Sequence, residues 1–595
     1  MPMLILDCEV YTDYFLLMFK DVESGRYASF EMFEGKPFDR HRVTELMNNS
    51  TTISFNGKGY DLYVISAALR GWSCAQIKDM SDAIIKSNKP AWLVAKTLDL
   101  PTQNDWDHID TIDVAPGKAG LKIYGGRMHA PKLQDLPIAP DASISPEQRL
   151  ELRRYCKNDL DTTETLFRVL EPAIKLREQI GAQYGGIDLR SKSDAQIAEA
   201  VIKYRLNEHT GKTYRPEKIE VGQLVRYMDP KIVSFQTDEL QGIFKKILKT
   251  PFAIGSNGSV QMPEWLRKQR IKIGSTEYQM GIGGLHSCEK SQSVVAKPGQ
   301  FLADFDVASY YPSIILKLKL APESMGGDFL RIYQGIVTER LQAKARGDKL
   351  TAETLKIVVN GSFGKLGSMY SALYAPQLMI QTTITGQLCL LMLIEWVEST
   401  GAKVVSANTD GIVILCEKRK EKQLEEVMFD WMLTTSFELE RSDYRSIHSR
   451  DVNNYIAVKP DGKVKRKGVY AEAVLSKNPD FGIVTDAVAA FLSGGAPVED
   501  TIRASKDVRG FVTVRQVTGG GMWRAEYLGK AVRFYYSTEV GADECITYAK
   551  NSNKVPRSDG AKPLMELTGE VPGDVDYGRY IEMAHEALKD MGVMG

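Results

Sequence analysis

The sequence predicts a multidomain chain of mixed α/β and α+β units, and three observations carry that prediction. Its 595 residues amount to three to five packed units at roughly 100–200 residues each. Strand-like and helix-like patterns follow one another at the front of the chain and again, in a different order, in its middle. The composition is that of an ordinary globular protein, 43% apolar and 26% charged, which excludes collagen-like, coiled-coil and wholly disordered chains.

The elements follow in order. Leu4–Leu6 is a short apolar run leading into Asp7, and Phe15–Phe19 reads as its hairpin partner. Leu152–Leu170 spaces Tyr155, Leu160, Leu166, Val169 and Leu170 as a helix, which Glu171-Pro172 is expected to close. This gives an α/β unit over residues 1–175. Residues 176–300 shift in composition. From Lys231 to Gln300 there are ten Lys/Arg against five Asp/Glu, concentrated at Lys245, Lys246 and Lys249 and at Arg267, Lys268, Arg270 and Lys272. Phe301–Phe305 is an apolar strand ending at Asp306. Ile332–Arg346 and Thr351–Phe363 read as two helices joined by Gly347-Asp348-Lys349, and Pro376–Ser399 as a long buried helix with Pro in its first turn. Val404-Val405 and Ile412–Leu415 flank Asn408-Thr409-Asp410-Gly411, a hairpin turn. The last 120 residues, with glycine loops at Gly494-Gly495 and Gly519–Gly521, say least.

The charge is balanced, 76 Lys+Arg against 76 Asp+Glu, which at the scale of the whole chain argues against a nucleic-acid partner. The local basic excess argues the other way. Seven cysteines lie scattered without a C-x-x-C pair, so neither a disulfide framework nor a structural zinc is expected. The apolar stretch Leu388–Ile394 is too short to span a bilayer, and the N-terminus lacks the basic region and cleavage site of a signal peptide. A cytoplasmic protein without a membrane partner is expected.

Two sets of polar residues carry chemistry. In the first, Asp7 and Glu9 stand two apart on a strand and project to one face. Asp61 follows Asn56-Gly57-Lys58-Gly59-Tyr60, and Asp159 lies four residues after Tyr155 on a helix. Taken singly, each is more often a solvated charge; the ordered set is what has weight. Carboxylates converging on one focus repel unless cations neutralise them, and hydrolysis of a phosphodiester uses hard divalent cations with oxygen ligands. The order D-x-E, N-x-x-x-Y-D, Y-x-x-x-D resembles the three motifs of the 3′–5′ proofreading exonuclease domain fused to many DNA polymerases. By that resemblance Asp7, Glu9, Asp61 and Asp159 hold metal ions, Tyr155 orients the attacking water, and Asn56 and Tyr60 contact the single-stranded 3′ end. Val10 departs from the Thr often found there.

In the second set, Asp306 opens Asp306-Val-Ala-Ser-Tyr-Tyr311-Pro-Ser, and Asp410 sits in the N-T-D-G turn. Between them Arg340 and Lys344 share a helix face, and Lys356 begins K-I-V-V-Asn360-G-S-F-G on the next helix. Two antiparallel helices that aim three cations at one polyphosphate suit triphosphate binding, and two carboxylates with two Mg²⁺ suit nucleotidyl transfer. The three segments resemble motifs A, B and C of the family B DNA polymerases, and with the front set the resemblance spans roughly residues 3–470 in the family's order.

The resemblance implies an RNase H-like 3′–5′ exonuclease domain followed by a right-hand polymerase. Residues 1–175 are then the exonuclease, 176–300 a connecting region and the start of the palm with basic DNA-contacting patches, 301–330 the palm with motif A, 331–370 the fingers with motif B, 371–470 the palm with motif C, and 471–595 the thumb and C-terminal region. It implies Asp306 and Asp410 as metal ligands, Arg340, Lys344 and Lys356 as triphosphate ligands, Tyr311 as a gate against the 2′-hydroxyl, and Asn360 lining the nucleotide pocket. Gly281-Ile282-Gly283-Gly284 resembles the Y-x-G-G element that contacts template, without its Tyr. Asn453-Asn454-Tyr455 stands where relatives carry K-x-Y near the primer terminus, without the Lys. Lys463, Lys465, Arg466 and Lys467 follow as duplex-phosphate contacts. Asn408 replaces the first carboxylate of D-T-D.

The expected cofactor is Mg²⁺, two ions at each site, with Mn²⁺ as a substitute. The expected partners are primer-template DNA, dNTPs and replisome proteins such as a helicase or single-strand-binding protein, with the chain a monomer. The exonuclease pattern starts at residue 7, and only 50 residues separate Asp306 from Lys356. That compactness resembles bacteriophage replicases that use a nucleic-acid primer, in a host cell's cytoplasm. The alternatives are a protein-primed phage polymerase and a DNA-binding 3′–5′ exonuclease whose polymerase site is degenerate.

Overall fold

The N-terminal apolar run becomes the middle of a five-stranded sheet in this computed structural model, which describes residues 1–87, 89–100 and 105–593. The strand order is Tyr27–Met32, Phe15–Asp21, Met3–Val10, Thr51–Ser54, His108–Asp110. The first three run antiparallel, with Asp7 opposite Met18 and Glu9 opposite Leu16, while the last two join parallel. Met3–Val10 is covered on both faces. Leu4, Leu6 and Cys8 enter one core, and Ile5 enters another with Leu152, Cys156 and Leu160 of a long helix. The strand runs on past Asp7, so alternation sets Asp7 and Glu9 on the side of Ile5.

That helix is longer than the sequence suggests. Ser145 and Gln148 cap it reciprocally at its start, and it extends over Pro146–Gln183 with Pro172 inside. An interior proline removes one backbone hydrogen bond and costs about 3 kcal/mol. The expected stop at Glu171-Pro172 fails because the buried face continues through Ile174, Arg177 and Ile180. Arg177 also donates to the carbonyls of Ala173 (3.0 Å) and Lys192 (2.8 Å).

The chain divides into two units: Met1–Ser193 with Glu472–Val484 and Ile502–Tyr580, and Asp194–Ala471 with Thr485–Thr501 and Ile581–Gly595. The first unit thus takes in a sheet built on the hairpin Thr513–Trp523 and Glu526–Tyr536. A fully buried Arg533 there donates to the carbonyls of Ala130 (2.8 Å) and Leu564 (2.7 Å).

The second unit is organised by a seven-stranded antiparallel sheet in the order Leu439–Tyr444, Gln300–Val307, Gly411–Glu417, Lys403–Asn408, Leu285–Ser287, Thr276–Met280, Ile271–Ile273. Pro376–Ser399 forms the expected helix and contributes Ile380, Ile384 and Leu388–Ile394 to the core. By length and composition it is apolar enough to cross a membrane, but 83% of its apolar window is buried within the protein, as in a core helix. The two middle helices are Gly326–Arg346 and Lys349–Lys365, the first starting six residues ahead of Ile332. Gly347 turns between them at φ 74°, and the Asp348 side chain caps the second. Helix Asp194–Thr210 packs on the second so closely that a Cβ at Gly361 would lie 2.9 Å from the Ala198 Cβ and the Asp194 carbonyl.

Candidate active sites

In the first unit the structure brings Asp7, Glu9, Asp61 and Asp159 together. Strand Met3–Val10 supplies the first pair, Asp61 opens helix Asp61–Leu69, and Asp159 comes from the long helix. Glu9, Asp61 and Asp159 are each under 10% exposed. The loop before Asp61 is held by Asp110, whose carboxylate accepts from the backbone N–H groups of Asn56 (2.8 Å) and Lys58 (2.9 Å). Asn56 takes a left-handed conformation at φ 68° and remains exposed, while the Tyr60 hydroxyl is engaged with Ser81 Oγ at 2.7 Å. Burial and then the Asp159 carboxylate push the Tyr155 phenol up.

Electrostatics mark the cluster as a place where the carboxylates share protons or cations. Burial, and then the Asp159 and Asp61 carboxylates, hold Asp7 well above the usual range; burial and then Asp7 do the same to Glu9. Asp61 is pushed up to about 7 by burial and then by Asp110. Asp159 is raised by burial, against the opposing pull of Lys122. The Lys122 ammonium pairs with Asp159 and lies 4.3 Å from the centre of the Tyr155 ring. Neither Lys122 nor Asp110 sits in a sequence pattern that marks it, since only the folded chain carries them to the carboxylates. A set of buried oxygen donors with raised pKa values fits hard divalent cations.

In the second unit the hairpin pairing places Asp306 opposite Gly411, next to Asp410. A Cβ at Gly411 would lie 2.0 Å from Asp306 Oδ1, so the glycine of N-T-D-G leaves room for that carboxylate. Asp306 and Asp410 line a cavity of about 430 Å³ together with Asp304, Asn408, Lys465 and Lys467. The surrounding protein pushes Asp306 up to about 6, through burial and then Asp304, and burial raises Asp410. Here too the acidic donors are all oxygen, which fits Mg²⁺. Asp304 shares the face of Asp306 two residues earlier. It is buried and accepts from Tyr444 Oη (2.7 Å) and Lys465 Nζ (3.0 Å).

The basic run 463–467 is therefore not a uniform exposed surface. Lys465 turns inward to Asp304, Arg466 pairs with Asp486, and Lys463 pairs with Asp461. Alternation along Val464–Arg466 sends Lys465 toward the sheet. Asn408 donates to the Val452 carbonyl (3.4 Å) and Asn453 Oδ1 (3.2 Å), and accepts from Thr409 Oγ1 (3.0 Å). It joins two turns and is fully engaged in doing so. Tyr455 packs partly buried beside Leu302 and Val405.

The remaining second-unit residues fall at different distances from this cavity. The Tyr311 hydroxyl donates to the Gly283 carbonyl, and its ring stacks on Phe363 at 4.3 Å. Burial, then Asp410, push its phenol up to about 12. Gly284 lies so close to the N-T-D-G turn that a Cβ there would meet Thr409 Oγ1 at 2.8 Å. Arg340 donates to Ser309 Oγ at 3.2 Å, which ties the first middle helix to the segment after Asp306. Lys344 is exposed one turn further along. Lys356 pairs with Glu353 at 3.5 Å, and Asn360 is exposed on the second helix. The structure thus joins Arg340 to the Asp306 segment directly, whereas Lys344 and Lys356 stand on exposed helix surface.

No protein-family model matches the chain. Among known proteins it is similar to a DNA polymerase of Archaeoglobus fulgidus, 21% identical over 254 residues that make up 34% of this chain and 32% of that polymerase. The chain thus spans about a third of that relative's length. It is 39% identical over 74 residues to an uncharacterised mitochondrial protein, ymf34, of Marchantia polymorpha, covering 12% of this chain and 93% of that protein. The two share a family by that match, although the name ymf34 conveys no activity. Among solved structures it is similar to the family B DNA polymerase from the hyperthermophilic archaeon Pyrobaculum calidifontis, at 13% identity and a TM-score of 0.41, over 100% of this chain and 78% of that one. An overlap so loose defines no shared fold. Over those 254 residues the chain is similar to a DNA polymerase. The order of its motifs resembles that of the family B DNA polymerases.

Proposed function

We propose that the chain is a DNA-directed DNA polymerase that extends a nucleic-acid primer with dNTPs, and that its first unit removes mispaired 3′ ends. The observation that carries this reading is the convergence of Asp306 and Asp410, about a hundred residues apart in sequence, on one cavity beside Tyr311 and the Gly283-Gly284 turn. In this reading Asp306 and Asp410 hold two Mg²⁺ ions, with Mn²⁺ as a substitute. When bound, the ions lower the barrier to attack by the 3′-hydroxyl and stabilise the leaving pyrophosphate.

The chain's own residues do the rest. Arg340, Lys344 and Lys356 bind the triphosphate, Asn360 lines the nucleotide pocket, and Tyr311, braced between Gly283 and Phe363, excludes a 2′-hydroxyl. Gly283 and Gly284 let template approach, and Tyr455 supports the primer terminus. In the first unit Asp7, Glu9, Asp61 and Asp159 hold a second pair of ions. Tyr155 orients water there, and Asn56 with the ring of Tyr60 contacts the frayed strand. The fold in this reading is an RNase H-like exonuclease followed by palm, fingers, palm and thumb, of a compact type suited to phage DNA replication.

The test is extension of a DNA-primed template by the purified chain with dNTPs and Mg²⁺ and no protein primer. Elongation that is lost in Asp410→Ala supports the reading. Failure to elongate while 3′ degradation persists would favour a DNA-gripping exonuclease, and elongation that survives in Asp410→Ala would place the polymerase site elsewhere.

A further inference from the structure

The N-terminal cluster contains a donor that oxygen-loving cations do not need. Cys156, fully buried on the long helix, points its thiol at Asp7 and lies 3.6 Å from Asp7 Oδ2 and 3.9 Å from the Asp7 carbonyl. Ligand atoms of Asp7, Glu9 and Cys156 all lie within 4.8 Å of one another. A second observation bears on the same point. Glu9 is 8% exposed, yet among the described residues its carboxylate accepts no hydrogen bond and forms no ion pair. A largely buried carboxylate with no protein donor, set beside other acids, is costly unless water, a proton or a ligand completes it.

We propose that Asp7, Glu9 and Cys156 form a three-donor site for a thiophilic divalent cation of the Zn²⁺ or Cd²⁺ class, distinct in its ligand chemistry from the Mg²⁺ use assigned to the carboxylates above. The dimensions agree. Zinc bonds of about 2.3 Å to sulfur and 2.1 Å to oxygen at a tetrahedral angle place S and O about 3.6 Å apart, the separation found between Cys156 Sγ and Asp7 Oδ2. Thiolate sulfur selects soft or borderline ions over Mg²⁺, so Cys156 biases the site toward them. Binding forms a metal–sulfur bond and releases the thiol proton to solvent, with no change of oxidation state. Three protein donors leave a fourth position open, as in catalytic rather than structural zinc sites. The site deepens the exonuclease reading of this cluster but depends only on its donor geometry.

The test is titration of the metal-stripped full-length chain with Cd²⁺, following the ultraviolet thiolate-to-cadmium charge-transfer band. The wild-type chain is expected to develop one equivalent of the band, which Cys156→Ser and Cys156→Ala each lose and Asp7→Asn weakens. Two cysteine variants guard against one that misfolds, and their thermal melting is checked alongside. A band of undiminished size in both variants overturns the proposal by assigning it to other cysteines, such as the less buried Cys288 and Cys545. A wild-type chain without the band overturns it as well. If the Cys156-dependent band appears but no Mg²⁺-supported 3′ degradation does, the thiol site stands and the exonuclease reading falls.

Discussion

The two carboxylate centres of this chain solve the same electrostatic problem in different ways. In the first unit four carboxylates converge on a buried focus, where the close cation is Lys122 on Asp159, and the pKa values of Asp7, Glu9 and Asp61 rise accordingly. In the second unit Asp306 and Asp410 open into a cavity, the third acid Asp304 is neutralised by Lys465, and the neighbouring position is a neutral Asn408. One centre sets a single lysine against four buried carboxylates, while the other bonds a lysine to its third acid and leaves Asp306 and Asp410 raised to a smaller extent. The first should therefore depend on added cations for its stability, and the second mainly for its chemistry.

The sharpest way to break the comparison is to disable each centre separately. Asp410→Ala is expected to lower primer extension at least a thousandfold, about 4 kcal/mol of transition-state stabilisation, while leaving 3′ degradation intact. Asp7→Ala with Glu9→Ala is expected to do the reverse. Gel assays of both activities on one preparation check this, and loss of both from either change would show that the centres are not independent.

A smaller effect tests the balanced charge of the second centre. Lys465→Met leaves the buried Asp304 carboxylate without its cation, which for a fully buried pair costs about 3–5 kcal/mol. Since 31% of the Lys465 side chain is exposed, a loss of about 2–3 kcal/mol in urea unfolding is expected after allowing for solvent screening. Adding Asp304→Asn to that variant should recover most of it. A double variant no more stable than Lys465→Met would mean that the lysine acts by packing.

The first centre is expected to respond to pH instead. The folded-state pKa of Asp61, about 7, lies above the ordinary carboxylate value, so the folded chain binds more protons than the unfolded one. The stability associated with the protonated form is fully present below about pH 4 and is lost as pH rises through 7. Without divalent ions Asp61→Asn should therefore melt like the wild type at pH 4 and be more stable at pH 8, by on the order of 2 kcal/mol, because neighbouring carboxylates share the titration. Excess Mg²⁺ should narrow that gap. A variant whose stability matches the wild type at both pH values would show that Asp61 carries no unmet charge.

How legible all this is in the sequence depends on the range of the interaction. The strand carrying Asp7 and Glu9, the helix Pro376–Ser399 and the N-T-D-G hairpin rest on local periodicity and turn chemistry, and they appear where the patterns put them. The span of the helix beyond Pro172 is set by the packing of Ile174 and Ile180, which no local rule conveys. Lys122 and Asp110 reach the first centre through tertiary contacts and carry no pattern of their own, whereas Asp304 stands two residues before Asp306 on one strand face, a D-x-D spacing readable in the sequence. Lys465 looks like a surface charge in a basic run, but its strand turns it inward. The association of 502–580 with the N-terminal residues lies beyond any motif.

Asn408 offers the finest test of the contrast, because it stands where an acid would make the second centre more like the first. Its amide faces two acceptors, the Val452 carbonyl and Asn453 Oδ1, and ties the Asp410 turn to the turn at 451–454. A carboxylate there cannot donate to either and would meet both as like partial charges. Asn408→Asp, superficially a repair of the D-T-D pattern, is thus expected to slow extension by up to about tenfold, the value of roughly one hydrogen bond, and to shift the Mg²⁺ dependence of the rate. Asn453→Lys in the same chain supplies the missing donor and should restore much of the rate, a coupling that a double-mutant cycle measures directly. If Asn408→Asp alone extends primers faster than the wild type, position 408 acts as a weakened metal ligand and not as the strut described by these bonds.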